Sequence, residues 1–288
     1  MTEPNRYLMC PSTYFDVAYV INPWMRGNVK ATSLQRAAGQ WQTLHDIIAK
    51  SASVERIRPN PGLPDMPFTA NASLVLEDTV VLSRFLYPER QGEEAHFERW
   101  FYDRGFAVLK LPATIAFEGA GDALFDRGTP VLWMGYGHRS SREAARYVGR
   151  WLDREVLPLK LADPRFYHLD TCFCPLENGY LMYYPGGFDH DSQLLIAARV
   201  PKGQRIIVDE ADALNFACNA VNIGRTVIVN RAGAALSESL RRTGFEVIEN
   251  DLSEFMKAGG SAKCLTLRLN EPRLGQNRGL AAETPGVA

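Results

Sequence analysis

The chain has 288 residues, 46% of them hydrophobic and 23% charged, which supplies a sizeable core and excludes global disorder. Its net charge of −1 at pH 7 offers no basic excess for nucleic acid, and no apolar run reaches the roughly 18 residues that a membrane span needs. The N-terminus lacks a basic region followed by an apolar one, and the five cysteines are an odd number for a disulfide framework; both point to a cytoplasmic protein.

Residues 7–21 read as two short apolar strands around Pro11-Ser12, with a loop at Asn22-Pro23. Leu34, Ala38, Trp41, Leu44 and Ile48 recur at helical spacing and predict an amphipathic helix over 33–50, capped by Ser33. Pro59, Pro61 and Pro64 then break the chain. From there strands and helices alternate. Strands at 72–86 precede a helix at 93–104, and strands at 106–111 and 123–134 precede a helix at 141–155. Strands at 171–184 precede a short helix at 192–199. Strands at 205–208 and 225–230, a helix at 233–243 and a strand at 245–249 follow. Residues 1–272 read as a single domain, and 273–288, without periodicity, as a disordered tail.

The alternation has a period. Phe68, Phe117, Phe173, Phe216 and Cys264 each sit where a loop meets a small-residue, apolar strand, at intervals of 49, 56, 43 and 48 residues. Units of about 50 residues, each holding strands and a helix, indicate an α/β repeat architecture. Five units around an axis would bring every such junction to one end of the molecule, with the N-terminal strands completing the last unit.

Three polar residues lie at those junctions: Glu118 in FEGAGD, His168 in FYHLDTCF, and Cys264 after the glycine pair Gly259-Gly260. Together they can serve as electrostatic partner, acid/base and nucleophile. Each alone is more often structural: a bonded strand-end carboxylate, a satisfied core histidine, a small buried thiol. Lys263, beside Cys264, would lower a thiol pKa. Asp65, Asn71, Asp122 and Asp170 add acceptors nearby, a surplus that suits a guanidinium, a planar cation with five donors. Arg90 and Arg139 are candidate clamps for a substrate carboxylate. His168, Cys172, Cys174 and Cys218 form no convincing zinc set, and EGAGDALF is no dinucleotide fingerprint, so neither metal nor cofactor is expected.

PDMPFTAN, FEGAGDALF, GYGHRS, FYHLDTCFCPL and AGGSAKCLTLRL, spread between about residues 7 and 270, resemble the guanidine-modifying enzymes of the pentein fold. That family, five-bladed α/β propellers, includes arginine deiminases, dimethylargininases and amidinotransferases. MCPSTYFDVAYVINPWM is most similar to the arginine dihydrolase domain of cyanobacterial ornithine-producing enzymes, which carry a further C-terminal domain. The resemblance implies that Cys264 attacks the guanidinium carbon, that His168 protonates departing ammonia and activates water, and that Glu118 and Asp170 hold the guanidinium. It implies Arg90 and Arg139 on the α-carboxylate, and Asp65, Asn22 and the backbone at Gly259 on the α-amine. Asn71 stands where deiminases and dimethylargininases usually have aspartate, as the dihydrolases do. The implied activity is therefore hydrolysis of L-arginine to ornithine, ammonia and carbon dioxide. Citrulline as product, from arginine or a methylated arginine, is the alternative, and a non-catalytic binding propeller is a further one. The partner expected is a small molecule, with no nucleic acid or membrane; a homo-oligomer is compatible with the sequence.

Overall fold

The computed structural model describes residues 4–271. Its strands form five three-stranded sheets built to one plan. The fifth is assembled from both ends of the chain: β1 (Asn5–Met9) crosses over through α1 (Leu34–Ala49) to parallel β2 (Ala52–Arg56). The next unit holds β3 (Ser73–Leu76), β4 (Thr79–Leu82), α2 (Glu93–Tyr102) and β5 (Ala107–Lys110). Here β3 and β4 pair antiparallel, and the helix returns the chain to a parallel β5.

The pattern recurs in β6 (Ala123–Phe125), β7 (Val131–Tyr136), α3 (Ala144–Leu152) and β8 (Glu155–Lys160). It recurs again in β9 (Phe173–Leu176), β10 (Tyr180–Tyr183), α4 (His190–Arg199) and β11 (Arg205–Ile207). The fourth copy is β12 (Val221–Ile223), β13 (Thr226–Val229), α5 (Ala234–Arg242) and β14 (Glu246–Glu249). Finally β15 (Leu267–Arg268) pairs antiparallel with β1, Leu8 opposite Leu267, so the chain ends complete the fifth sheet as expected.

Burial grades each sheet. The first strands β3, β6 and β12 are buried at every residue, as apolar runs covered on both faces are. The third strands β2, β5 and β14 have no buried residue and form the outer edges. The helices bury one stripe: in α3 it is Ala144, Val148 and Leu152, one turn apart each time. Side-chain caps mark the starts of α1 and α4, Ser33 accepting from the Arg36 N–H and Asp189 from the Ser192 N–H.

Three expectations change. Only 5–9 of the two N-terminal strands forms; beyond Pro11 the chain is irregular apart from a 3-10 turn, Pro23–Met25. Its backbone instead lies over the site described below. Three strands escaped the reading, β2 because it is a polar edge strand, β8 because it contains Pro158, and β12 because it is only three residues long. Pro158 sits on a sheet edge, where the missing N–H breaks no ladder. The aromatic spacing also drifts, because Phe173 is the first residue of β9 whereas Phe68, Phe117 and Phe216 precede their first strands. The strand starts themselves, Ser73, Ala123, Phe173, Val221 and Leu267, keep the period of about 50 residues. The expectation for 273–288 lies outside the described residues. Among the described residues no helix is long and apolar enough to cross a membrane.

The turn before β6 rests on Gly119, whose φ is +57° and whose missing Cβ would lie 2.6 Å from the Ser73 backbone nitrogen. Gly119→Ala should destabilise the protein by at least about 2 kcal/mol, from left-handed strain plus a clash with backbone that cannot rotate away. Urea denaturation measures this; an unchanged midpoint would contradict the tight approach.

Candidate active site

Every unit places a turn just before its first strand, and each turn delivers a polar side chain. Asn71 comes from the 3-10 turn Thr69–Ala72 before β3. Glu118 begins the helical turn Gly119–Asp122 before β6, and His168 begins the 3-10 turn Leu169–Thr171, which contains Asp170, before β9. Asn219 ends the turn at 215–219 before β12, and Cys264 lies in the turn at 262–265 before β15. All six side chains are buried.

They form two hydrogen-bonded groups. In the first, His168 Nε2 lies 2.7 Å from Glu118 Oε2, and its Nδ1 lies 3.4 Å from the Asn71 amide nitrogen. Arg139 Nη1 donates to the same Glu118 oxygen at 3.0 Å, its guanidinium close to the faces of Tyr87 and Tyr167. The Leu86 N–H donates to Glu118 Oε1. Burial alone would push the Glu118 carboxyl up; Arg139, the His168 hydrogen bond and Arg90 outweigh it and hold the group well below the usual range.

The second group surrounds the thiol. The Asn219 amide nitrogen donates to Cys264 Sγ at 3.1 Å and to the Asp170 carbonyl at 3.0 Å. Asn219 Oδ1 accepts the Cys264 and Ser261 N–H groups. Cys264 Sγ donates to the Asp170 carboxylate at 3.5 Å. Burial and the Asp170 charge push the Cys264 thiol up, against Asn219 and Lys263. Burial also pushes the Asp170 carboxyl up to about 7, with Lys263 opposing. The two groups are tied together by the Ala70 N–H, which donates to the Cys264 carbonyl next to Asn71, and by the turn that His168 and Asp170 share.

The remaining predicted residues lie around these groups. Arg90 makes four hydrogen bonds, two to the Glu93 carboxylate and one each to Asn71 Oδ1 and the Asp65 carbonyl, which leaves it one free N–H. Arg139 makes two, the second to the Ile21 carbonyl. Asp65 accepts from the Tyr19 hydroxyl through Oδ2, while its buried Oδ1 has no hydrogen-bond partner among the described residues. Asn22 caps the Pro23–Met25 turn and donates to the Ala258 carbonyl at 2.9 Å. Gly259, at φ +86°, has its carbonyl bonded to the Tyr167 hydroxyl. Asp122 is structural here, holding Ser140 and the Leu169 N–H. Tyr19, Ile21, Asn22 and Trp24 therefore fasten the irregular N-terminal segment down as a roof. Among the described residues no group of three or more His, Cys, Asp or Glu is arranged to hold a metal ion.

Asn219 was missed from sequence. Its only signal was position: Asn71 and Asn219 both stand two residues before their unit's first strand. A buried cation-binding chemistry suits this geometry: acceptors on several sides, a histidine bonded to a carboxylate, and a thiol held by an amide.

The family model described as N,N dimethylarginine dimethylhydrolase, eukaryotic, matches residues 25–270. The bifunctional arginine dihydrolase/ornithine cyclodeaminase AgrE of Nostoc sp. is 57% identical over 94% of this chain, and the chain spans 39% of that relative's length. The crystal structure of the N-terminal domain of ArgZ, an arginine dihydrolase from the ornithine-ammonia cycle in cyanobacteria, was solved as a cysteine-to-serine variant bound to substrate. It superposes with a TM-score of 0.93 at 56% identity, covering 94% of this chain and 100% of that one. An asparagine-to-serine variant of the same domain, covalently bonded to a reaction intermediate, has a TM-score of 0.93 at 55% identity, with the same coverage of both chains.

Because the folded Asp170 carboxyl is raised from 3.8 to about 7, its contribution to stability is fully present below pH 3.8 and lost as pH rises through about 7. Asp122, raised to about 6, and Glu93, raised to about 7, act in the same direction. Asp170→Asn should therefore reduce the loss of stability between pH 5 and pH 8, by up to about 3 kcal/mol, in urea melts at the two pH values. An identical pH slope in the variant would sink this assignment.

Proposed function

The chain belongs to the N,N dimethylarginine dimethylhydrolase family, and on that premise we propose that it is a cysteine-dependent arginine dihydrolase. It converts L-arginine to ornithine, two ammonia and carbon dioxide. We also propose that the five sheets close into a five-bladed propeller, which the pairing of β1 with β15 supports. The five cysteines, all free and buried, support a cytoplasmic location.

The observation that carries the catalytic reading is the buried, hydrogen-bonded Glu118–His168 couple in the same site as a thiol bonded by Asn219 and Asp170. An entering guanidinium is held by Glu118 and Asp170, whose two-oxygen forks match its donors. The α-carboxylate displaces the Ile21 carbonyl from Arg139 and takes the remaining N–H of Arg90. The unpartnered Oδ1 of Asp65 accepts the α-amine, with Asn22 and the backbone at Gly259 beside it. The substrate's own charge draws down the raised thiol pKa, so the nucleophile forms when substrate is bound.

Cys264 Sγ then bonds to the guanidino carbon, and ammonia leaves carrying a proton from His168. His168 takes a proton from water, which attacks the thiouronium carbon and frees the thiol, leaving bound citrulline. A second attack on the ureido carbon expels the second ammonia. Hydrolysis of the resulting thiocarbamate gives a carbamate that divides into ornithine and carbon dioxide. The neutral Asn71 favours this second round, since an aspartate there would hold the cationic substrate but not the neutral ureido intermediate. The family's own chemistry favours the alternative, one hydrolysis ending at citrulline.

Wild type quenched during turnover with arginine should show a covalent adduct on Cys264 by intact mass. Cys264→Ser should lose at least about 1,000-fold in activity. Turnover without an adduct, or full activity in Cys264→Ser, would overturn the covalent mechanism, and wild type without turnover would favour a binding protein. Asn71→Asp should raise citrulline at the expense of ornithine by about tenfold or more; an unchanged ratio would remove Asn71 from the second step.

A further inference from the structure

Lys263 and Cys264 are neighbours in sequence but line different spaces. Lys263 lines a cavity of about 50 Å³ in which the first strands of all five units converge, through Leu74, Ala123, Cys174, Val221 and Leu267. Cys264 does not border it. The cavity is apolar along the strands and strongly cationic at its charged residues: Lys263, Arg127 and Arg268, against the single carboxylate of Glu271.

The ion pairs compensate that charge only in part. Arg127 takes up Glu271 in a two-point bridge of 2.7 and 3.1 Å. Arg268, with its side chain nine-tenths buried, is left with Glu271 at 3.7 Å and Glu177 at 4.0 Å, both beyond hydrogen-bond distance. Its Nη2 donates to Asn5, but its buried Nε and Nη1 donate to nothing among the described residues. Among the described residues Lys263 Nζ hydrogen-bonds only the Ala120 carbonyl, at 3.4 Å. Buried donors on a guanidinium cost more when unmet than neutral ones, and a planar fork of this kind matches small oxyanions. The space exceeds what one water needs and is too small for a nucleotide or a second amino acid.

We propose that this cavity binds a small inorganic monoanion, between a halide and bicarbonate in size, held by Arg268 and Lys263. The site has a consequence for the thiol. Lys263 opposes the burial that raises both Asp170 and Cys264. A bound anion offsets the Lys263 charge, so occupancy makes the Cys264 thiol less acidic and slower to react. The binding claim stands independently of the arginine reaction.

The test uses the full chain at fixed pH and ionic strength, with sodium gluconate replaced stepwise by chloride or by bicarbonate. Expected are a saturable rise in Tm with at least one small anion, none with gluconate, and its loss in Arg268→Gln. Alkylation of Cys264 by iodoacetamide should slow several-fold over the same titration. A response to chloride alone assigns the site to halide from the medium, and a response to bicarbonate alone assigns it to the hydrated form of the carbon dioxide released. Bromide-soaked crystals of wild type, which need no variant to fold, should give an anomalous peak beside Arg268. No saturable response to either anion, a chloride response without a bromide peak, or an anion response retained in Arg268→Gln overturns the proposal.

Discussion

A carboxylate with no solvent exposure normally takes up a proton, because the charge loses its hydration. Glu118 is kept ionised by contacts from three other places in the chain: Arg139, His168 and the Leu86 N–H. That charge fixes His168, since the imidazole nitrogen facing Glu118 must carry a proton to make the 2.7 Å contact. The opposite nitrogen then faces Asn71, whose amide is in turn oriented by Arg90, and Arg90 by Glu93. One buried anion thus sets the orientation of a chain of side chains that reaches from one repeat into the next.

The repeat makes this possible. Residues separated by about 50 positions meet because each first strand starts from an equivalent turn, and β3, β6 and β12 are buried at every residue. Polar groups in such turns are held by backbone geometry rather than by long flexible side chains, which lets them stay buried with defined partners. The cationic cavity beside Lys263 arises from the same convergence on the inner side of the strands. The roof is of a different kind. It is irregular chain, held by single hydrogen bonds to Asp65, Arg139, Ala258 and Arg165 and by burial of Phe15, Val17, Ile21 and Met25 in the core.

Much of this was legible in the residues. The period, the order Glu118, His168, Cys264 and the surplus of acceptors pointed to a shared site for a guanidinium. The outer strand β8 was hidden by Pro158, and the roof looked like a second strand because Tyr14, Phe15, Val17, Tyr19 and Val20 share the composition of one. Asn219 was hidden because an asparagine in a loop has many local uses, and only the fold places its amide against the thiol. Arg90 and Arg139 looked equivalent in sequence. Their partners differ, Glu93 and Asn71 for one and Glu118 and a roof carbonyl for the other, and only tertiary contacts could separate them.

The central claim is that one guanidino carbon is hydrolysed twice at this thiol. Arginine labelled with carbon-13 at that carbon, incubated with the protein and followed by NMR, tests it in a single spectrum. The account predicts that the label leaves as bicarbonate and carbon dioxide while unlabelled ornithine accumulates. Label that stays in the ureido group of citrulline would contradict it.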